Sequence, residues 1–296
     1  WTFSTYSYLS DAMAMSSHAT SITMGSLGTI TAGQGWGGNS SGFDEEVPQA
    51  YEQASDLSAL GSSNLVGSFT DNGGLTWAVP SFDLGAASAS LVLGWTPNAD
   101  DAAVSNGGVG TRVDSAGVWG DGYDAGLTIA TDMGLTVGAY VATREQTTPV
   151  VSAGRAKRDE FNGVAYAKYS AGPVSVGYSQ SYVDSGRAVV STASTAAKVV
   201  RTAGGLFEET QMSIAFNVND NLTISYTDAE DTYDSQGDPT AGTTNADVSM
   251  DTEMIQISYS MGGMSISAFQ VDIDNEAYDS DVTTHSATEI SVGLAF

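Results

Sequence analysis

The sequence predicts an all-β chain, a transmembrane antiparallel up-and-down β-barrel forming a single domain over 1–296. Three observations carry that prediction. Segments with a period of two recur along the whole chain, their connections alternate between short and long, and their polar faces are rich in hydroxyls and poor in charge.

Successive side chains of a strand point to opposite faces, so alternation of apolar and polar residues marks a half-buried strand. Fourteen such segments lie near 1–9, 20–25, 27–34, 74–80, 87–95, 122–131, 134–143, 160–170, 173–182, 205–218, 221–229, 252–261, 263–273 and 286–296. Leu135, Val137, Ala139 and Val141 alternate with Thr136, Gly138, Tyr140 and Ala142. Leu222, Ile224 and Tyr226, and again Ile255, Ile257 and Tyr259, follow the same rule. In the last segment Ile290, Val292, Leu294 and Phe296 share one face, and Glu289, Ser291, Gly293 and Ala295 share the other. In a water-soluble domain that aromatic end would be sticky and uncovered; in a membrane barrel it anchors a lipid-facing strand at the interface.

Asp132-Met133-Gly134, Ala171-Gly172-Pro173, Asn219-Asp220-Asn221 and Gly262-Gly263 are tight turns. Between them lie long polar segments near 96–121, 144–159, 183–204, 230–249 and 274–285. Short turns at one end and long loops at the other are the layout of outer-membrane barrels, which a sandwich or jelly roll has no reason to keep. A sandwich also buries its apolar face and exposes charge. Here the polar faces are Ser, Thr, Gly, Gln and Tyr, which suits a wide, wet lumen.

Composition narrows the function. A net charge of −26 argues against nucleic-acid binding, which needs a basic surface. With no cysteine there is neither a disulfide framework nor thiol chemistry. No run approaches the roughly 20 apolar residues of a membrane helix. The chain opens on Trp1 with no apolar presequence, so a processed or truncated start is expected.

Residues 35–73 form the longest connection, opening with Gly35-Trp36-Gly37-Gly38. They carry Asp44, Glu45, Glu46, Glu52, Asp56 and Asp71 with no basic residue. Connections beyond about 15 residues are usually functional or disordered. Phe43, Val47, Tyr51, Leu57, Leu60 and Leu65 speak against disorder, and such a loop folded into a lumen would narrow it.

Three features resemble the general diffusion porins of alphaproteobacteria: the terminal Ile-x-Val-x-Leu-x-Phe strand, the strand Leu27-Gly28-Thr29-Ile30-Thr31-Ala32-Gly33, and the acidic, Tyr-containing loop at 43–57. The resemblance implies sixteen strands, a homotrimer, and a pore constricted by its third extracellular loop. Here the long loop follows the third visible strand where the family's follows the fifth. Either two N-terminal strands are missing from the chain or fourteen strands close by themselves. The family's arginines, carried on its first strands, face that loop across the pore.

Candidate chemistry follows from these placements. Asp44, Glu45, Glu46, Glu52 and Asp56 are the acidic side of a constriction; a solvated surface loop is the plainer reading. All nine basic residues lie between Arg112 and Arg201. Arg144 and Lys168 face the lumen by strand parity, while Arg155, Lys157 and Arg158 share one loop and Arg187, Lys198 and Arg201 another. Asp272, Asp274 and Glu276, with Asp279 and Asp281, offer hard oxygen ligands for Ca²⁺, though without the spacing of an EF-hand. No cofactor is required. Catalysis finds little support: His18 and His285 are the only histidines, no Ser lies in Gly-x-Ser-x-Gly, and Gly107-Gly108-Val109-Gly110 lacks a following Lys-Ser/Thr. Aromatics near strand ends, such as Trp77, Trp95, Tyr123 and Tyr169, fit interfacial girdles.

The expectation is therefore a non-enzymatic, weakly cation-preferring diffusion channel for small hydrophilic solutes and ions. It would sit in a bacterial outer membrane beside lipid and lipopolysaccharide. The competing expectation is a soluble secreted all-β protein with calcium-dependent binding or adhesion.

Overall fold

The computed structural model describes residues 1–9, 15–34, 39–54, 66–70, 72–99, 119–147, 158–186, 205–234, 247–280 and 284–295. The glycine run at 35–38, Asp56, Leu57, Leu60, Leu65, Asp71, Gly107–Gly110, Arg112, Arg155, Lys157, Arg187, Lys198, Arg201, Asp281 and Phe296 lie outside the described residues.

One antiparallel meander accounts for the described strands. In chain order they are β1 (Thr2–Leu9), β2 (Met15–Thr23), β3 (Thr29–Gln34), β4 (Asn72–Ala78), β5 (Phe82–Asp83), β6 (Ala87–Thr96), β7 (Trp119–Thr131) and β8 (Leu135–Gln146). There follow β9 (Glu160–Ala171), β10 (Val174–Asp184), β11 (Leu206–Asn219), β12 (Leu222–Asp234), β13 (Val248–Met261), β14 (Met264–Asp274) and β15 (His285–Leu294). Each pairs with its predecessor, except that β4 pairs directly with β6 and the two-residue β5 adds to β6 beside it. The fourteen long strands are the fourteen segments read from the sequence.

All the tight turns fall at one end of the sheet and all the long connections at the other, because every strand reverses its neighbour. Gly134 and Gly262 hold positive φ (88° and 60°) in two of the tight turns, a conformation that costs any residue with a Cβ.

Several strands run further toward the long-loop end than alternation suggests. β12 reaches Asp234 rather than 229, and β13 starts at Val248 rather than 252. There the outward positions become carboxylates, with Asp228 opposite Glu253 and Glu230 opposite Asp251. The hydrogen-bonded ladder continues while the apolar signal stops.

The two faces differ sharply. On one, Ile22, Ile30, Leu127, Val141, Val176, Ile214, Ile224, Ile257, Ile266, Ile290 and Val292 stand exposed in a continuous belt. Phe3, Trp77, Tyr169 and Phe216 edge it toward the tight turns, and Trp95, Tyr123 and Phe161 toward the long loops. The other face carries Gly126, Tyr140, Tyr166, Ser179, Ser213, Ser225 and Gln256 and is covered by residues 39–54.

Candidate functional site

The described parts of the long connection between β3 and β4, residues 39–54 and 66–70, lie along the inner face. The base of the loop is clasped by one carboxylate. Asp124 of β7 accepts hydrogen bonds from Asn39 Nδ2 (2.7 Å), Ser68 Oγ (2.7 Å) and Thr70 Oγ1 (2.8 Å), tying the two ends of the loop to the same strand. Three donors satisfy a buried carboxylate that would otherwise be costly.

From Asn39 onward the loop meets the strands in order. Phe43 seats over Gly126 of β7 and against Tyr140 of β8 and Tyr166 of β9. Glu46 pairs with Lys168 of β9. Pro48 rests on Gly177 of β10, and its carbonyl accepts from Ser213 Oγ of β11. Ala50 N donates to Ser225 Oγ of β12 (2.9 Å). Tyr51 N and Glu52 N donate to Gln256 Oε1 of β13 (2.7 and 3.1 Å). The Tyr51 ring packs by Phe269 of β14 (6.4 Å between centroids), and its hydroxyl donates to Glu289 Oε1 of β15 (2.8 Å).

This progression fixes the shape of the wall. Crossing nine strands in a flat sheet means about 38 Å at the usual strand spacing. Twelve residues reach only about 40 Å even when fully extended. This stretch is not extended: it holds a 3₁₀ turn at Ser40–Gly42 and a left-handed Glu45 (φ 50°). A strongly concave wall is what lets the loop touch every strand from β7 to β15.

Two apolar clusters fasten the loop at its ends. Phe43, Val66 and Phe69 pack with Trp119, Tyr140, Ala142, Val164 and Tyr166 on β7–β9. Ala54, with Tyr51 against it, packs with Val183, Phe207, Tyr233, Met254, Phe269 and Tyr278 on and beside β10–β14. The remaining arc, β1–β4 and β6, bears no Asp, Glu, Lys or Arg. Its inner positions are mostly small or hydroxyl-bearing, with Ser21–Thr31 (2.8 Å) and Thr23–Thr29 (2.9 Å) bonded across strands.

The structure separates the expected charged residues. Glu46 and Glu52 are half-exposed, whereas Asp44 and Glu45 are buried at the wall. Lys168 faces inward as parity suggests and is half-exposed beside Glu46. Arg144 also faces inward but is 0 % exposed: Nη2 lies 2.6 Å from Glu160 Oε2, Nη1 donates to Ala99 O (2.8 Å), and the guanidinium stacks on Trp119. It therefore braces the wall instead of lining water, a correction to the parity reading, which gives direction but not cover.

Asp272, Asp274 and Glu276 do not converge into a calcium site. Each bonds a neighbour instead, respectively Ser286, Thr284 and His285. Among the described residues no three acidic or histidine side chains group as metal ligands. At Tyr51, Ser291 favours the ionised hydroxyl. The bond to Glu289 and the negative charges of Glu289 and Glu52 outweigh it and hold the phenol above its usual range, so it stays a donor.

Sequence reading did not find Asp124, Gly126, Gly177, Ser225 or Gln256 as loop contacts. Asp124 alone left a signal, as a lone acid between Gly122 and Gly126 on a face otherwise small.

Solved structures of low sequence identity share this architecture. A porin refined at 1.8 Å resolution matches with a TM-score of 0.55 at 16% identity, over 99% of this chain and 91% of its own. The chain has the fold of the porin barrels. The outer membrane channel DcaP of Acinetobacter baumannii matches this porin fold at 0.53, with 11% identity over 94% of this chain and 83% of its own. The trimer form of the outer membrane protein OmpT of Vibrio cholerae matches at 0.50, with 12% identity over 96% and 81%. No family model matches the sequence, and no curated protein does.

Proposed function

We propose that the chain is a passive diffusion channel for small hydrophilic solutes and ions across a bacterial outer membrane, constricted by the loop at 35–73. The observation that carries this reading is the loop itself. Its residues 39–54 lie on the polar concave face, while the opposite face is an exposed apolar belt edged by aromatics. That is the division a barrel in lipid needs around a wet lumen. A soluble secreted adhesin would have to keep the whole belt in water, far beyond the few hundred Å² a soluble surface tolerates.

Solutes pass between the loop and the hydroxyl wall of β1–β6, and selection is by size and charge with no bond made or broken. Half-exposed Glu46 and Glu52 and exposed Glu289 outnumber Lys168 on the described lumen surface, which supports a weak cation preference. The partners are outer-membrane lipid and lipopolysaccharide. A homotrimer is part of the proposal, supported by the fold shared with the trimer form of OmpT.

Liposome swelling tests the reading. Vesicles holding the protein should swell in isotonic solutions of small neutral sugars, more slowly as the sugar grows. Vesicles no leakier than protein-free controls would refute it.

A further inference from the structure

We infer that Gln256 is the positioning residue that sets the aperture of the channel; the inference rests on the diffusion-channel reading above. Its side chain is 1% exposed on the inner face of β13. Oε1 accepts from both Tyr51 N (2.7 Å) and Glu52 N (3.1 Å), and Nε2 donates to Glu52 O (2.7 Å). A primary amide carries the same donor and acceptor as a peptide group, so Gln256 engages the loop backbone like one more rung of sheet.

Gln256 holds the loop main chain at three points. Ser213 and Ser225 each supply one bond. The clamp also sits at the far end of the crossing, twelve residues from the Asp124 clasp, where an unfastened loop would swing furthest. Since it grips backbone, the clamp itself does not depend on the side chains of residues 51 and 52; the Tyr51 ring and hydroxyl add separate contacts with Phe269 and Glu289. Losing the clamp leaves two loop N–H groups without their acceptor, which favours a loop that lifts toward water.

Single-channel recording of the full chain in planar bilayers tests this with two variants. Gln256→Leu removes every polar contact at similar size; its conductance should rise about 1.5-fold, with fast current fluctuations absent from the native channel. Gln256→Glu keeps the acceptor and loses the donor at neutral pH. Protonated in acid, the carboxylic acid regains an O–H donor beside its carbonyl. This variant should be noisy at neutral pH and native-like in acid, a pH profile that mere loss of packing would not produce. Native conductance and noise in both variants at all pH values would overturn the inference. A silent native channel would instead remove the diffusion-channel reading on which it depends.

Discussion

The Phe43 ring stacks on Tyr140, with centroids 5.3 Å apart and planes inclined by 25°. The contact exists because position 126 of the adjacent strand has no side chain: a Cβ there would overlap the Phe43 ring. Gly126→Val should therefore unseat the first anchor of the loop. Overpacking of this kind costs about 1–3 kcal/mol. The check is thermal unfolding in detergent, where the variant melts below the native protein, together with a noisier channel.

Glu46 and Lys168 form the half-exposed ion pair of the loop. Lys168→Met uncovers the carboxylate, so the zero-current potential in a potassium chloride gradient should move toward the potassium equilibrium value. Glu46→Gln should move it the other way. The double variant should fall near the native value, because the pair contributes almost no net charge.

Arg144 and Glu160 are both fully buried, and removing one partner strands the other. Arg144→Met should cost about 3–5 kcal/mol in denaturant titrations. Since no water reaches the guanidinium, the ion selectivity of the surviving folded channel should not change. A selectivity shift as large as that of Lys168→Met would return Arg144 to the pore lining.

Ile257 stands in the exposed belt, opposite Ile224 and Ala268. Ile257→Lys should destabilise the protein in lipid vesicles by about 2–4 kcal/mol if the position lies near the bilayer midplane. On a water-facing surface the same change would stay within about 0.5 kcal/mol. Equilibrium unfolding from vesicles separates the two environments.

The strands were legible because each carries its own period of two, and the meander because Gly and Asn mark the tight turns. Where Asp228, Glu230, Asp251 and Glu253 take the outward positions, burial no longer writes the pattern and the strand ends were read short. That residues 39–54 pack on the polar face of the sheet is in keeping with the apolar residues Phe43, Val47 and Tyr51 among their acids. The anchors of the loop were not legible: Gly126, Gly177 and Gln256 are ordinary members of a polar strand face, and only the register of a distant loop gives them a task. Arg144 shows the complementary limit. Parity assigns the correct side of the sheet, while its burial depends on Phe69, Ala99 and Trp119, contributed from elsewhere in the chain.

The proposed channel is a water-filled path beside a loop fixed to the inner wall. Adding the purified protein to a planar bilayer under asymmetric potassium chloride tests it most directly. A conducting barrel should give discrete, uniform current steps with a zero-current potential of modest cationic sign. A bilayer that stays electrically silent, with the protein shown to be inserted, would contradict it.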